Sequence, residues 1–174
     1  MHIRFAAPEM RVLDGLSCEA LALPLFSDER PLRGVLGLVD WRMCGLVSRA
    51  IKAGRLSGAF DERVLLPGRP KLAADKLIVF GLGPREEFGP GLLRGAVARM
   101  LETLVAARVR SAAVVLPGRD VEAIDAPTAI EALIAADAAP EVRDDIVVIE
   151  APDAQRLMAP VIERERRRAR ARGE

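Results

Sequence analysis

The chain has 174 residues, of which 51% are hydrophobic and 29% are charged, so it can build one domain with a packed core and is too apolar to be disordered. Aromatic residues make up only 3%, with one Trp and no Tyr, which is poor material for stacking nucleic-acid bases. The net charge is +1, but residues 163–174 hold six Arg and three Glu, so residues 1–162 carry 20 basic and 22 acidic side chains and offer no overall attraction for nucleic acid.

The first half of the chain predicts three strands and one helix. Residues 3–5 alternate and predict a short edge strand, and residues 18–26 predict a longer strand in which Pro24 restricts pairing. Residues 63–66 predict the third strand. A helix is predicted over residues 40–52, with Asp40 as its N-cap and Gly54 after its end. The residues at helical spacing that predict its apolar face are Trp41, Cys44, Val47 and Ile51.

The second half predicts strands that alternate with helices. Residues 76–80, 112–116 and 146–149 are short apolar runs typical of buried strands. Helices are predicted from Pro90 to Val105, over residues 127–137, and over residues 153–172, where Pro160 predicts a kink or two abutting helices.

This alternation predicts a three-layer α/β/α fold. We expect a mixed, largely parallel sheet of five or six strands, with helices on both faces. Leu77, Val79, Val114 and Val148 are predicted to lie inside it. Residues 1–152 form the predicted domain, and residues 153–174 form a helical, Arg-rich tail that belongs to the same domain or extends it.

One segment resembles a known family. Residues 76–83 read Lys-Leu-Ile-Val-Phe-Gly-Leu-Gly, and a polar loop then leads to a helix containing Arg94-Gly95-Ala96. This segment is similar to the N-terminal domain of the leucyl (cytosol) aminopeptidases, and the resemblance extends over roughly residues 15–150. Other matching pieces occur in the same order: residues 21–26, 31–34, 38–40, 64–67 and 112–117. The resemblance implies a macro-domain-like fold. The chain departs from the family pattern at Pro84 and at residues 58–62.

The resemblance also implies what is missing. In the family, catalysis belongs to a C-terminal domain in which Asp and Glu carboxylates and a Lys hold two metal ions, with a signature like Asn-Thr-Asp-Ala-Glu-Gly-Arg-Leu. The present sequence contains no Asn. We therefore expect a non-catalytic binding or scaffold module with no catalytic residues, cofactor or metal. The alternatives are a macro-like protein that binds or hydrolyses nucleotide or ADP-ribose ligands, and an accessory subunit of a separately encoded aminopeptidase.

Gly81 and Gly83 are candidate phosphate-binding residues. They follow a buried strand and precede a helix, where α/β folds bind phosphates, and macro-domain relatives of the family bind ADP-ribose in loops of this kind. However, the spacing is not GxGxxG, Pro84 lacks an N–H, and Glu86 and Glu87 add negative charge. The alternative is a purely structural glycine turn.

The remaining reactive side chains predict little chemistry. Two Cys and one His cannot form a His- or Cys-based zinc site. Cys44 is expected to be a small core residue, because a dyad with His2 would depend on a residue at the chain terminus. The paired carboxylates Asp144-Asp145 and Glu86-Glu87 are expected to be solvated, because neighbouring side chains in extended chain point to opposite faces.

The tail suggests two contacts. Arg166, Arg167 and Arg168 predict weak nucleic-acid contact through counterion release, and the alternative is a solvated helix supported by a Glu163–Arg167 pair. An apolar strip at helical spacing predicts a two-fold homodimer or contact with a protein partner, unless it folds back onto its own sheet. The strip consists of Leu157, Met158, Val161 and Ile162.

The N-terminal segment and the hydropathy predict a cytoplasmic protein without membrane contact. His2, Arg4, Pro8 and Glu9 interrupt the first ten residues, which therefore contain no apolar signal core. No run of 18 apolar residues occurs, so no transmembrane span is expected.

Overall fold

The structure, a computed structural model, describes residues 2–136 and 145–172, without the side chains at positions 169 and 172. Six strands in these residues form one sheet: β1 (His2–Ala6), β2 (Ala20–Leu25), β3 (Arg63–Pro67), β4 (Lys76–Gly81), β5 (Ser111–Val114) and β6 (Asp145–Ile149). Six α-helices accompany them: α1 (Met10–Gly15), α2 (Gly34–Arg42), α3 (Leu46–Lys52), α4 (Pro90–Ala106), α5 (Ala126–Ala136) and α6 (Pro152–Arg172). A 3₁₀ turn covers Arg85–Glu87.

The strand order is β1-β6-β5-β2-β4-β3. All neighbouring pairs are parallel except β3 and β4, which are antiparallel. The predicted mixed, largely parallel sheet is therefore confirmed. Pro24 lies in the central strand β2, where it is in register with Phe80 of β4. The pairing of β2 with β5 ends at Ala22 and Val114, so Pro24 has no partner on that side and its missing N–H leaves no ladder bond unmade.

Two apolar cores lie on the two faces of the sheet, which gives the predicted three layers. Helices α4, α5 and α6 cover one core, and α1, α2 and α3 cover the other. Neighbouring residues of β4 alternate between them, since Ile78 joins the first core and Leu77 and Val79 join the second. All four residues predicted to be interior are fully buried: Leu77, Val79, Val114 and Val148. An unbroken apolar run is thus the expected sequence of a strand covered on both faces.

The predicted helix over residues 40–52 is wrong in its bounds. Helix α2 already begins at Gly34 and ends at Arg42, and α3 starts only at Leu46. Cys44 and Gly45 separate them with positive φ angles of 56° and 78°, which a continuous helix cannot contain. Asp40 is therefore a residue of α2, but its carboxylate still accepts hydrogen bonds from the backbone N–H groups of Val47 (2.7 Å) and Ser48 (3.1 Å). It caps α3 from the preceding helix.

The predicted apolar face of that helix is also wrong at two positions. Trp41 is 74% exposed, because α2 buries Val35, Leu36 and Val39 instead, and Cys44 is exposed in the break between α2 and α3. Val47 is fully buried as predicted.

Helix α6 continues through Pro160 from Pro152 to Arg172, so the predicted division into two abutting helices is wrong, and a kink at Pro160 stays a prediction. Three members of the apolar strip, Met158, Val161 and Ile162, are buried in the core that α5 shares. Only Leu157 is exposed, at 59%. The strip therefore folds back on its own domain, since α5 offers an apolar face, and the homodimer stays a prediction.

Other predicted elements lie close to the observed ones. The predicted helix over residues 127–137 is α5, and its last predicted residue, Asp137, lies outside the described residues. In the part of the chain that the structure describes, no helix has the length and apolar character needed to cross a bilayer.

Candidate functional site at the carboxyl ends of the strands

A cleft opens where β2 and β5 part. The last hydrogen bond between them runs from Val115 N to Ala22 O (3.0 Å), after which β2 leads to α2 on one face of the sheet and β5 leads to α5 on the other. Such a switch point, at the carboxyl ends of parallel strands, is the usual binding crevice of open α/β sheets. The cleft has a volume of about 510 Å³, and its lining includes Gly34, Val35, Leu38, Arg119, Asp120 and Glu150.

The side chain of Asp120 fills the part of the cleft next to the start of α2. Its carboxyl group lies against Gly34, such that a Cβ atom on Gly34 would be 2.5 Å from Cγ of Asp120. Gly34 has a φ of +54°, a further reason for glycine at this position. The backbone N–H of Val35, the second residue of α2, acts to lower the pKa of the Asp120 carboxyl group. A helix start attracts anions, and here an anion of the chain itself occupies it.

The charges around Asp120 are mainly negative. Desolvation by the surrounding protein raises the pKa of Asp120 to about 6; the Val35 N–H acts against this, and the carboxylates of Glu29 and Glu150 add to it. Glu29 is 5% exposed and accepts a hydrogen bond from Arg33 N (3.1 Å). Asp120 stands at the open mouth of the cleft, so water screens part of this repulsion.

Arg119 is the cation of the cleft, and it is already paired. Its Nε lies 2.7 Å from Oε2 of Glu150, in an ion pair that is mostly shielded from water, and its guanidinium also donates to Ile124 O (2.6 Å). The start of α2 is therefore occupied by Asp120, and Arg119 is already paired, so neither is free for an incoming phosphate.

The turn at Gly81-Leu82-Gly83, predicted as a possible phosphate loop, has no N–H group to offer. Gly81 N donates to Glu62 O (2.8 Å), Leu82 N to Leu25 O (2.9 Å) and Gly83 N to Gly58 O (2.9 Å). The glycines are explained by close backbone contact, because a Cβ atom on Gly81 would lie 1.8 Å from Ala59 O, and by a φ of +77° at Gly83. The structural alternative accounts for Gly81 and Gly83, and phosphate binding by them is not supported.

Glu62 organises the segment that packs against this turn. Its carboxylate accepts hydrogen bonds from Ser57 N (2.9 Å), Gly58 N (2.6 Å) and Ser57 Oγ (3.0 Å). This carboxylate clasp joins Ser57 and Gly58 to Glu62 and so overlaps residues 58–62, where the sequence departs from the family pattern.

Cys44, predicted to be a core residue, is instead an exposed thiol. Lys71 Nζ lies 2.6 Å from its Sγ. The hydrogen bond from Lys71, then the charges of Lys71, Arg49 and Arg42, lower the pKa of Cys44. Cys18, by contrast, is buried, and burial raises the pKa of its thiol to about 11.

The other predicted groups lie apart from the cleft or are paired. His2 Nδ1 is 3.3 Å from Asp145, which also binds Arg4, so His2 is occupied at the sheet edge; Asp144 lies outside the described residues. Glu86 and Glu87 are exposed, as predicted. Within residues 2–136 and 145–172, no group of three or more His, Cys, Asp or Glu side chains is placed to hold a metal ion.

The Arg-rich end of α6 is partly neutralised. Arg166 pairs with Glu163 (2.9 Å) and Arg168 with Glu165 (2.6 Å). The predicted Glu163–Arg167 pair is therefore replaced by a pair three residues apart. Nucleic-acid contact by these arginines stays a prediction.

Asp120, Glu29 and Glu150 were missed by reasoning from the sequence. A signal was present, since Arg119-Asp120 follows β5 and Glu150 follows β6, and the carboxyl ends of parallel strands meet at one edge of the sheet.

Comparison with known proteins agrees with the fold. The model of the N-terminal domain of the cytosol aminopeptidase family matches residues 22–141. A probable cytosol aminopeptidase of Thermosynechococcus vestitus is 32% identical over 120 residues, which are 66% of this chain and 23% of that protein. The chain thus spans about a quarter or less of the length of the curated relatives it matches.

Two solved structures are similar in fold. A tomato leucine aminopeptidase mutant has a TM-score of 0.61 and 14% identity, over 92% of this chain and 35% of that one. A Trypanosoma brucei macrodomain in complex with ADP-ribose has a TM-score of 0.72 and 15% identity, over 92% of this chain and 69% of that one. The chain is macrodomain-like in fold, and it belongs to the cytosol aminopeptidase family through that family's N-terminal domain.

Proposed function

We propose that this chain is a non-catalytic binding module of the cytosol aminopeptidase family, with a macrodomain-like cleft that is closed to phosphate ligands. The observation that carries the proposal is the position of the Asp120 carboxyl group against Gly34, the first residue of α2. A phosphate that entered there would have to displace this carboxylate and would meet the negative charges of Glu29 and Glu150.

Peptide hydrolysis is not part of the proposal. The chain matches the N-terminal domain of its relatives, and its sequence contains no Asn, so the family's Asn-containing catalytic signature is not in it. Two-metal hydrolysis needs clustered ligands that hold both ions and polarise a water molecule. A scaffold role requires only a folded binding surface, which this chain supplies. An accessory subunit of a separately encoded aminopeptidase is one form that this role could take.

The second candidate is a protein that binds or hydrolyses ADP-ribose or a related nucleotide. The observation that favours it is the shared fold with a macrodomain that was solved with ADP-ribose, together with an open cleft at the carboxyl ends of the strands. Binding in that cleft would require the Asp120 side chain to turn away from Gly34.

Calorimetric titration with ADP-ribose at neutral pH separates the two candidates. The proposal predicts no binding to the wild-type chain at millimolar ligand. Saturable binding by the wild type would overturn it in favour of the nucleotide-binding alternative. An Asp120→Ala variant is the matched comparison: binding gained by this variant alone would identify Asp120 as the group that closes the cleft.

A parallel assay tests the absence of catalysis. The chain, supplied with Zn²⁺ or Mn²⁺, is expected to leave a chromogenic leucine amide uncleaved. Turnover that copurifies with the chain and disappears on chelation would contradict this expectation.

A further inference from the structure

A second concave surface lies around Trp41, near the end of α2. Trp41, the one Trp of the sequence, is 74% exposed at the end of α2. It borders a shallow hollow of about 700 Å³ whose lining also includes Pro31, Leu32, Gly37 and Cys44. An aromatic side chain that is left in water beside an apolar hollow is a typical anchor of protein interfaces, where Trp is enriched.

The charge around this hollow is positive. Residues 41–60 contain four basic residues and no acidic ones: Arg42, Arg49, Lys52 and Arg55. Two cations reach Cys44 at the rim, because Arg49 donates to Cys44 O and Lys71 Nζ lies 2.6 Å from Cys44 Sγ. Arg42 is paired with Asp14 (2.7 Å), whereas Arg49 and Lys71 make no ion pair with any described carboxylate. We call Leu32, Trp41, Cys44, Arg49 and Lys71 the Trp41 face.

Asp40, the acidic residue that lines the hollow, does not present its negative charge to a partner. Asp40 is buried, and its carboxylate accepts hydrogen bonds from Val47 N, Ser48 N and Ser48 Oγ. These bonds also tie the end of α2 to the start of α3. Trp41 and Arg49 of the Trp41 face therefore lie on two helices that are tied together, so that binding would cost little ordering of the backbone between them.

We infer that the Trp41 face binds an acidic protein segment that places an apolar side chain in the hollow against Trp41. The inference rests on the proposed role as a binding module and names the chemistry of its partner. Charge complementarity supports the acidic part, since Arg49 and Lys71 are available to carboxylates at the rim. A single-stranded nucleic acid fits less well, because it normally needs several stacking rings, and this face carries one.

The test uses the full chain and a fluorescein-labelled, Glu-rich dodecapeptide with one central Leu. Fluorescence anisotropy measures its affinity, and the emission of Trp41 reports directly on burial of that side chain. We expect saturable binding with a blue shift of Trp41 emission. Binding should weaken about tenfold or more in Trp41→Ala. It should also weaken about tenfold in Arg49→Glu/Lys71→Glu and at about 0.5 M salt.

Matched controls locate the site. Leu157→Ala removes a similarly exposed apolar side chain elsewhere, and Arg166→Glu/Arg168→Glu reverses charge on the tail; both should keep affinity within about twofold. A peptide with Ser in place of Leu should bind about tenfold more weakly, and one with Lys in place of Glu should not bind.

Several results would overturn the inference. These are no peptide binding up to about 1 mM, an unchanged affinity in Trp41→Ala, loss of binding only in the tail variant, or tighter binding of an oligothymidine than of the peptide. None of them bears on the ADP-ribose titration, which uses another ligand and the cleft, so the two proposals can fail independently.

Discussion

Asp120 and Gly34 are in contact across the mouth of the cleft: a methyl group on Gly34 would lie 2.5 Å from Cγ of Asp120. The contact joins the loop after β5 to the first residue of α2. It places a carboxylate where an open α/β sheet most often receives a ligand.

A Gly34→Ala change should therefore destabilise the fold. The new Cβ would overlap the Asp120 side chain, and alanine is strained at a φ of +54°. We expect the free energy of unfolding to fall by roughly 1–3 kcal/mol, measured by urea denaturation.

Two further variants separate the causes. Adding Asp120→Ala should restore part of the loss, because it removes the overlap but not the backbone strain. Gly15→Ala is the control, since nothing lies within 4 Å of its Cβ position, and it should change stability by about 0.5 kcal/mol or less. If Gly34→Ala lowered the free energy of unfolding equally in the wild type and in Asp120→Ala, the two residues would not be in contact.

Asp120 should make stability depend on pH in a defined window. Its native pKa of about 6 lies above the value of about 3.9 expected in an unfolded chain. Between about pH 4 and pH 6 the native state then binds more protons, so Asp120 lowers stability as the pH rises. Urea denaturation of Asp120→Asn should show this variant gaining stability relative to the wild type from pH 4 to pH 7, with no further gain above. A stability difference that is constant across that window would contradict the raised pKa.

The two thiols should differ strongly in reactivity. Cys44 is exposed beside Lys71, which lowers its pKa, and Cys18 is buried with a pKa of about 11. Because the thiolate is the nucleophile, iodoacetamide at neutral pH should alkylate Cys44 and leave Cys18 unmodified until the chain unfolds. Lys71→Met should slow alkylation of Cys44 several-fold, as followed by mass spectrometry. Faster labelling of Cys18, or an unchanged rate in Lys71→Met, would contradict these environments.

Glu62 should stabilise the loop beside Gly81. Partial burial acts against the charged form, but hydrogen bonds from Ser57 and Gly58 outweigh it and lower the pKa of Glu62. Its contribution is therefore present above about pH 4.3, its unfolded value, and is lost as the pH falls through the lower native pKa. Glu62→Gln should cost roughly 1–3 kcal/mol at neutral pH, measured by denaturation. The exposed Glu86→Gln is the control and should cost about 0.5 kcal/mol or less; equal effects of the two changes would refute the clasp.

The sheet could be predicted from the sequence because each of its buried strands is a short run of neighbouring apolar residues. Leu77–Phe80 is an unbroken apolar run, and such a run fits a strand that is covered on both faces. The helix of residues 40–52 could not be placed correctly, because Trp41, Cys44, Val47 and Ile51 keep helical spacing across a break. Gly45 was the sequence signal for that break. The positive φ angle of Cys44 is visible only in the structure.

The cleft was less accessible to such reasoning because its parts come from distant segments. Glu29, Asp120 and Glu150 follow three different strands, and none of them forms a motif with its sequence neighbours. The segment that resembled a ligand-binding loop in the sequence was the Gly81-Leu82-Gly83 turn. Its glycines serve close contact with Ala59 and a positive φ, which a sequence cannot distinguish from a ligand loop.

The central claim is that Asp120 holds the start of α2 against phosphate ligands, and the backbone amide of Val35 reports on it directly. In a ¹⁵N-labelled wild-type chain at pH 7.5, we predict that the Val35 and Gly34 amide resonances stay unchanged at millimolar ADP-ribose. We also predict that the Val35 resonance moves as Asp120 titrates near pH 6, and that this movement is absent in Asp120→Asn. Saturable shifts of Val35 and Gly34 on adding ADP-ribose to the wild type would contradict the account.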